Sequence, residues 1–534
     1  MIFVNRGGQQ QFSSFLAFLF FIGFYNLILI SFSRYSFNLD DIWMWLDIYD
    51  KKAIWNGYTP SSGRFFPLAS FDLNILMQFS SSPYLFFIYN AIIATAFAFI
   101  YLKILDNTSP SKINLLIIAL FMLSVGFVVI FFGICYPEKN MILFLSIFML
   151  CTFYIIKNND SRYIPCGILF LNLSIYLKEP TFIATFCIGF LLFISSFKNN
   201  KNIIIYSILI MLSSTIYCIL YFILIFNNIE SSYDRYTQNT DVITITIQGI
   251  INYILNDGII IFLLPTLFIY RIFRVCIKKD KFEIFFDSFL SAGFVYLCIY
   301  LFLGIFETYY LLPCYIFSGA SILYFIINQQ YIKFIVIKIA LILGLLGFFS
   351  SSLLFGIYSM INLKAQGVQF NEILDFSAKY LKHNPNTDIY FDGTGRGREI
   401  YAEYYVGYYA EYLNKIYNIK EFDIKTSMPN LKDIKIDSKK AYTYFNSLDL
   451  HTLKSGDLII LNNTTTNKID EKYMQDLNNK YTLIYKTNFP TIPYVNIKSI
   501  IKFANLNLTK SNHSLFGHQN IFRLPLNTYI FKAK

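Results

Sequence analysis

The sequence FNLDDIWMWL (Phe37–Leu46) is followed after a short interval by SGRFFPL (Ser62–Leu68), and both lie between the first two apolar spans of the chain. Two adjacent carboxylates, Asp40 and Asp41, come just after the first span, and Arg64 follows in the same connection. Ionisable groups at the edge of a membrane helix bundle cost free energy unless they face water, a partner or a ligand. This connection is therefore predicted to form one wall of a functional site at the boundary between membrane and water.

The composition is that of a polytopic membrane protein. Of 534 residues, 55% are hydrophobic and 14% are charged, and the mean hydropathy is +0.49, whereas about a quarter of the residues of a soluble protein are charged. The net charge of +11 does not indicate a nucleic-acid partner, because the basic residues lie mostly in short connections where membrane topology accounts for them. All eight cysteines precede residue 315, so an exported C-terminal region would fold without disulfides.

Eleven apolar stretches are predicted to be membrane helices. The first, residues 12–32, is preceded by Arg6 and followed by no small-residue cleavage site, which predicts a signal anchor. The others lie at 83–104, 113–135, 140–156, 163–177, 180–197, 203–226, 258–275, 285–304, 309–327 and 332–359. The predicted fold is an α-helical polytopic membrane protein with about eleven transmembrane helices.

Charges in the connections between these spans alternate along the chain. One set of connections is basic and contains Arg6, Lys103, Lys112, Lys157, Arg162, Lys198, Lys201, Arg271, Arg274, Lys278, Lys279, Lys281 and Lys333. The other set carries the acidic residues Asp40, Asp41, Asp47, Asp50, Glu138, Glu179, Glu230, Asp234, Asp241, Asp257 and Glu307. Because basic connections stay in the cytoplasm, the N-terminus is predicted to be cytoplasmic and the C-terminal region, after an odd number of spans, to be outside.

The composition becomes polar after the last span. Residues 361–534 are therefore predicted to form an extracytoplasmic (periplasmic) α/β domain behind a membrane domain of residues 1–360, whose first outer loop covers residues 33–82. Asn371–His383 has the apolar spacing of an amphipathic helix. Three short strands are predicted at Thr387–Phe391, Asp457–Leu461 and Tyr481–Lys486. A further helix is predicted between the last two strands, at residues 470–479.

The short outer connections also carry ionisable groups close to the predicted membrane boundary. They are Glu138 and Lys139 in CYPEKN, Lys178 and Glu179 in YLKEPT, and Glu307 in FETYY. A single such group is most simply a solvated loop residue, but recurrence in several tight outer loops favours a shared polar cavity. The pair before Pro180 could equally be an interfacial ion pair at the start of a helix.

Such a cavity suits transfer of a sugar from a polyprenyl phosphate. A carboxylate, Asp40 or Asp41, would take the proton of the acceptor hydroxyl, a role that typically contributes about 10²–10⁴-fold in rate. Partial desolvation and the neighbouring charge would raise the pKa of one carboxyl of this pair. The departing phosphate would be bound by Arg64, Lys139 and Lys178, and Glu138, Glu179 and Glu307 would contact the acceptor or support these cations.

Other interpretations of these residues stay open. Asn38 or Asp40, before the apolar-periodic IWMWL, could cap a helix N-terminus, and capping by one carboxylate can coexist with catalysis by the other. Trp43, Trp45 and Trp55 are more readily explained as membrane-interface anchors than as rings that stack on a sugar.

Signals for a cofactor are weak. DGTGRGRE (392–399) has GxGxG rather than GxGxxG spacing and is interpreted as a turn. The histidines are scattered through the C-terminal region without a nearby cysteine, at positions His383, His451, His513 and His518. Asp40 and Asp41 could bind a divalent metal ion, but no further ligand is evident, so no cofactor and no metal site are assigned.

These features together resemble a known family. The acidic pair in the first outer loop (NLDDIWM), the later GRFFPL, the short outer loops PEKN and LKEP, and the C-terminal outer domain resemble the GT-C superfamily of polytopic glycosyltransferases. Within it the chain is similar to bacterial and phage-encoded transferases that decorate O-antigen with a sugar from undecaprenyl phosphate. The resemblance covers the membrane part, and the C-terminal region matches no family motif.

The resemblance implies an inverting hexosyltransferase of the bacterial inner membrane. Its donor would be a polyprenyl-phosphate-linked sugar, with glucose as the expected hexose, and its acceptor an outer-face glycan such as lipid-linked O-antigen of lipopolysaccharide. By analogy with the family, Asp40 or Asp41 would be the catalytic base.

Two other functions remain as alternatives. An O-antigen polymerase also has many spans, but it usually carries its large outer loop between late spans and relies on arginines there. A transporter or flippase of lipid-linked sugars is expected to carry ionisable residues at mid-membrane and to show internal repeats, and neither is evident in this sequence. The terminal position of the outer domain and the acidic first loop favour the transferase.

Overall fold

The computed structural model describes the protein over most of its length. The described residues are 8–36, 39–108, 113–197, 200–228, 242–327, 334–391, 408–420, 422, 424–426, 453–461, 471–487, 495–497, 499–501, 504 and 528–534. Some residues used in the sequence predictions lie outside these ranges, namely Arg6, Phe37, Asn38, Lys112, Lys198, Glu230, Asp234, Asp241, Lys333, 392–399, His451, His513 and His518.

The chain folds into two compact units. The first comprises Met1–Ser31, Ile54–Leu76 and Leu85–Ile357, and the second comprises Phe32–Ala53, Met77–Tyr84 and Tyr358–Lys534. The predicted first outer loop is thus divided between the two units. Asp40 and Asp41 belong to the second unit, and Arg64 belongs to the first.

Helices dominate the described residues. In chain order they are α1 (Gly8–Ile30), α2 (Leu39–Tyr49), α3 (Phe71–Leu76), α4 (Pro83–Thr108), α5 (Ile113–Met122), α6 (Val125–Phe132), α7 (Glu138–Asn158), α8 (Ile164–Ile175), α9 (Thr181–Ser196), α10 (Lys201–Leu224), α11 (Val242–Asn256), α12 (Leu264–Ile272), α13 (Ile284–Phe302), α14 (Leu312–Ile327), α15 (Ile335–Gly347), α16 (Leu354–His383) and α17 (Glu471–Lys480). Residues 408–415 are also helical. Shorter π-helical turns lie on both sides of α12 and between α15 and α16.

The apolar helices confirm the predicted class of fold. Seven helical segments of the described residues are long and apolar enough to cross a membrane, or up to eight if a bent pair forms one span. The seven are Pro83–Asn107, Glu138–Asn158, Lys201–Leu224, Ile259–Ile277, Ile284–Phe302, Thr308–Ile327 and Ile335–His383. The other predicted spans correspond to α1, whose apolar part is Ser14–Ile30, to the shorter helices α8 and α9, and to α5 and α6, which are bent by 58° relative to each other.

Two helices differ from the sequence prediction. The helix α11 was not predicted, because Thr, Gln and Asn residues interrupt the apolar run VITITIQGIINYILN. The last span was predicted to end at residue 359, whereas its helix continues through α16 to His383. The helix α16 contains no proline, so every residue can supply a backbone N–H group and the helix continues past the end of the apolar composition.

The second unit contains a five-stranded mixed sheet. In chain order, the strands of the described residues are β1 (Tyr58–Thr59), β2 (Arg64–Phe65), β3 (Ile389–Phe391), β4 (Ile424–Thr426), β5 (Leu458–Leu461), β6 (Tyr481–Lys486) and β7 (Tyr529–Ala533). The strands β1 and β2 form a separate hairpin in the first unit, and β3 to β7 form the sheet. The order is β4-β3-β5-β7-β6. The strand β3 pairs parallel with β4 and β5, whereas β7 pairs antiparallel with β5 and β6. The predicted strands are confirmed as β3, β5 and β6, and the predicted helix between the last two is α17.

Candidate functional site

A short β-hairpin in the first unit carries Arg64. The strands β1 and β2 pair antiparallel, with Thr59 opposite Arg64. The turn between them ends at Gly63, whose φ of 72° lies in the left-handed region that favours glycine. Two-residue strands cannot hold a backbone in place by themselves. The position of Arg64 therefore depends on contacts from the surrounding helices.

Gly57 fixes the other end of this hairpin. Its φ is 73°, and a Cβ atom on it would lie 2.2 Å from the carbonyl oxygen of Phe66. The same close approach allows the backbone N–H of Phe66 to donate to the carbonyl oxygen of Gly57 at 3.0 Å. The hairpin that carries GRFFPL thus has glycine at two positions with a left-handed backbone, Gly57 before its first strand and Gly63 in its turn.

We expect Gly57→Ala to lower the melting temperature of the purified protein. The left-handed conformation alone costs about 1–2 kcal/mol for a residue with a Cβ atom, and the contact with the backbone of Phe66 cannot relax through a side-chain rotation. Thermal unfolding in detergent measures the change. Gly23→Ala in α1 is the matched control, because nothing lies within 4 Å of its added Cβ atom. An equal effect of both substitutions would contradict this account.

Three ion pairs surround the hairpin and the first turn of α7. Arg64 Nη1 lies 3.9 Å from Glu179 Oε1, Lys178 Nζ lies 2.8 Å from Glu138 Oε1, and Lys139 Nζ lies 3.0 Å from Asp72 Oδ2. Five of the predicted site residues, Arg64, Glu138, Lys139, Lys178 and Glu179, therefore come together in the first unit. The prediction did not foresee that each cation already has a carboxylate partner within the protein.

The three cations differ in how far a ligand can reach them. The side chain of Arg64 is 26% exposed, that of Lys178 is 7% exposed and that of Lys139 is 1% exposed. Arg64 is therefore the most accessible of the three cations, and Lys178 is largely enclosed. Lys139 is enclosed together with its partner.

Lys178 is held by a carboxylate and two aromatic rings. Its Nζ lies 4.3 Å from the ring centroid of Tyr310 and 5.4 Å from that of Phe66. Burial by itself lowers the pKa of Lys178, but the charge of Glu138, with smaller effects of Tyr310 and Glu179, raises the pKa above its ordinary value. The net effect favours the charged form of Lys178, and the rings contribute a cation–π attraction that strengthens on desolvation.

Lys139 has the contacts of a structural residue. Besides the carboxylate of Asp72, its ammonium donates to the carbonyl oxygen of Ile134 at 2.9 Å. The next residue, Asn140, is fully buried and accepts a hydrogen bond from the hydroxyl of Tyr89 at 2.7 Å. The first turn of α7 is thus joined to α3 and α4 by side chains whose polar groups would be costly to bury alone.

Two residues of this cluster were missed at the level of sequence. Tyr310 lies in FETYY, where only Glu307 was selected, and Glu307 is exposed at the start of a 3₁₀ turn. Asp72, in the short helix α3, follows GRFFPL by a few residues and is 3% exposed. A carboxylate in an otherwise apolar stretch was the available signal, but nothing in the sequence pairs Asp72 with Lys139.

The predicted catalytic carboxylates lie in the first turn of α2 in the second unit. Asp40 is exposed, and Asp41 is 1% exposed. Because α2 begins at Leu39, Asp40 lies inside the first turn, where a carboxylate interacts favourably with the helix dipole. The hydroxyl of Tyr412 donates to the carbonyl oxygen of Ile42 at 2.9 Å and fixes this turn.

The three predicted tryptophans differ in burial, with Trp43 and Trp55 half-buried and Trp45 enclosed. Trp45 is fully buried and packs edge-to-face on Tyr35 at 5.7 Å between ring centroids. Trp55 donates from Nε1 to Thr59 Oγ1 at 2.9 Å and packs on Phe66. For Trp45, neither the interface anchor nor the sugar-stacking role applies. Within the part of the chain that the structure describes, no three His, Cys, Asp or Glu side chains group as metal ligands.

Comparison with known proteins finds similarity only among solved structures. No protein-family model and no curated protein matches the sequence. The oligosaccharyltransferase of Archaeoglobus fulgidus in complex with Zn and sulfate is 13% identical, with 89% of this chain and 73% of that chain covered and a TM-score of 0.38. The same enzyme tethered to an acceptor peptide with the NVT sequon is 11% identical, with 76% and 63% covered and a TM-score of 0.38.

Proposed function

We propose that the protein is an inverting membrane glycosyltransferase of the GT-C kind. It moves a hexose, with glucose as the expected sugar, from a polyprenyl phosphate carrier to an outer-face glycan such as lipid-linked O-antigen. The proposal includes a bacterial inner-membrane location, a cytoplasmic N-terminus and a periplasmic C-terminal domain.

One observation carries this proposal: a partly exposed arginine on a helix-held hairpin, with a second, buried cation beside it. Arg64 offers two parallel N–H donors to a phosphate, and its contact with Glu179 is long, at 3.9 Å. Lys178 adds a second positive charge in the same cluster, and the charge of Arg64 acts on Lys178 by slightly opposing the rise of its pKa. Such an arrangement favours the negative charge that develops on a departing phosphate.

The roles of the remaining cation and of the carboxylates follow from their burial. Lys139 is enclosed with Asp72, so in this proposal it supports the site by holding α7 and does not touch the donor. Glu138 and Glu179 keep Lys178 and Arg64 in place before the donor arrives.

The proposed reaction is an in-line displacement at the anomeric carbon. The oxygen of the acceptor hydroxyl forms a bond to that carbon while the bond from the carbon to the phosphate oxygen breaks. The proton of the hydroxyl goes to a carboxylate base, for which we propose Asp40 because of the family resemblance of NLDDIWM in the sequence; Asp40 is exposed, whereas Asp41 is buried in the same helical turn. Polyprenyl phosphate leaves with the electron pair and is stabilised by Arg64 and Lys178.

Reconstitution of the purified protein tests the function. The protein in liposomes, supplied with polyprenyl-phosphate-linked glucose and a lipid-linked glycan, is expected to release polyprenyl phosphate and to enlarge the glycan by one hexose, detected by mass spectrometry. No ion gradient is applied. Donor that crosses the bilayer without being consumed would support the transporter alternative and overturn the proposal. Joining of whole glycan units would support the polymerase alternative.

Arg64→Lys is expected to lower kcat/KM for the donor about tenfold or more. Lysine keeps the charge but lacks the planar pair of donors that binds two phosphate oxygens at once. Initial rates at varied donor concentration measure the change. Arg162→Lys is the matched control, because Arg162 is 88% exposed and its guanidinium pairs with the neighbouring Asp160. Equal kcat/KM values for Arg64→Lys and the wild type would contradict the assignment of Arg64 to the phosphate site.

A further inference from the structure

Two tyrosines on α10 bind the backbone on both sides of Arg64. The hydroxyl of Tyr217 donates to the carbonyl oxygen of Phe65, and the hydroxyl of Tyr221 donates to the carbonyl oxygen of Gly63 at 2.9 Å. The tyrosines are four residues apart and therefore lie on one face of the helix, one turn from each other. Their two acceptors belong to the residues immediately before and after Arg64.

We propose that Tyr217 and Tyr221 are positioning residues that aim the guanidinium of Arg64 at the donor phosphate. The inference rests on the proposed function, because it assigns these tyrosines to the phosphate site described above. Neither residue touches the donor, and both act through the backbone of the hairpin.

The hairpin needs this support for a physical reason. It has two residues in each strand, and so short a pair of strands is not stable in isolation. Gly63 also has wide conformational freedom, so its carbonyl group takes a defined direction only if a donor binds it. The hydroxyl of Tyr221 supplies that donor.

A third contact completes the support. Glu179 Oε1 accepts a hydrogen bond from the backbone N–H of Phe65 at 3.3 Å and pairs with the guanidinium of Arg64 at 3.9 Å. The N–H group of Phe65 is thus bound from the segment before α9, and its carbonyl group is bound from α10. The residue next to Arg64 is held from two directions, which restricts the arginine side chain at its root.

The two tyrosines differ in what else they do. Tyr217 is fully buried and packs on Phe65 and Phe182, with ring centroids 5.5 and 5.3 Å away. Tyr221 is half-buried. Tyr221→Phe therefore removes one hydrogen bond at little cost in packing, and it is the variant on which the test depends.

Binding of polyprenyl phosphate without a sugar provides the readout, so that the test does not depend on transfer activity. Tyr221→Phe is expected to weaken this binding about 3- to 10-fold, in line with the loss of one intramolecular hydrogen bond. In the Arg64→Gln background the same substitution is expected to have no further effect, because there is no guanidinium left to position. Thermal-shift titration in detergent measures the wild type, the two single variants and the double variant.

Tyr206→Phe is the matched control. Tyr206 lies on the same helix, is fully buried and shares a hydrogen bond of 2.9 Å with Thr152, away from the hairpin. Its substitution should leave phosphate binding unchanged in both backgrounds.

The outcomes separate the inference from the proposed function. An equal effect of Tyr221→Phe with and without Arg64, no effect at all, or no binding of polyprenyl phosphate to the wild type would overturn the inference. Binding with the expected pattern, in a protein that transfers no sugar, would uphold the positioning role and overturn the glycosyltransferase assignment.

Discussion

Asp40→Asn is expected to lower kcat for sugar transfer by about 10²–10⁴-fold, the usual contribution of a positioned general base. The amide has nearly the same shape as the carboxylate but cannot accept the proton of the acceptor hydroxyl. Asp40 is exposed in the first turn of α2 and is therefore open to a substrate, whereas Asp41 is 1% exposed. Initial rates at saturating donor and acceptor, in the liposome assay described above, measure the effect.

Substitutions of the other carboxylates of α2 serve as controls. Asp41→Asn is expected to affect the melting temperature more than kcat, since its carboxylate is buried. Asp47→Asn, on the same helix, should retain full activity. The opposite result, with Asp41→Asn inactive and Asp40→Asn active, would move the base to Asp41. Full activity of both would end the assignment of a base to this pair.

Lys139→Met is expected to destabilise the protein by about 3–5 kcal/mol, the typical cost of removing one partner from a buried ion pair. The substitution leaves the carboxylate of Asp72 buried next to an apolar side chain, and both side chains of the pair are 1% exposed. The carbonyl group of Ile134 also loses its donor. Thermal unfolding of the purified protein in detergent, compared with the wild type, measures the loss.

A double variant distinguishes a structural role of Lys139 from a role in donor binding. Asp72→Asn combined with Lys139→Met removes both charges and is expected to recover a large part of the lost stability. Arg162→Met, which breaks an exposed ion pair, should not change the melting temperature measurably. A stable Lys139→Met protein with weakened donor binding would show that Lys139 binds the donor phosphate.

The class of fold was predictable from the sequence, and the exceptions have identifiable causes. Apolar stretches of about 20 residues predict membrane helices because the hydrocarbon core imposes both length and polarity. The same reasoning missed α11, whose polar residues interrupt its apolar run. It also ended the last helix too early, because a change of composition at residue 360 does not end a helix.

The candidate site was predictable in part. Ionisable groups in tight loops identified Arg64, Glu138, Lys139, Lys178 and Glu179, and these residues do come together in the first unit. Their pairing was not predictable. Glu138 could have been paired with the adjacent Lys139, but the structure pairs it with Lys178. The hydrogen bonds from the tyrosines of α10 to the hairpin were not predictable either. The sequence of an apolar helix rich in aromatic residues does not indicate which hydroxyl group binds which loop.

The sequence by itself determined that the chain is a helical membrane protein with charged groups gathered in short connections, because burial of apolar side chains and the cost of burying charge act on each segment separately. Only the tertiary structure decided which charge neutralises which, how far Arg64 is exposed and what holds its backbone. Those properties depend on contacts between residues distant along the chain, and such contacts exist only after the helices have packed.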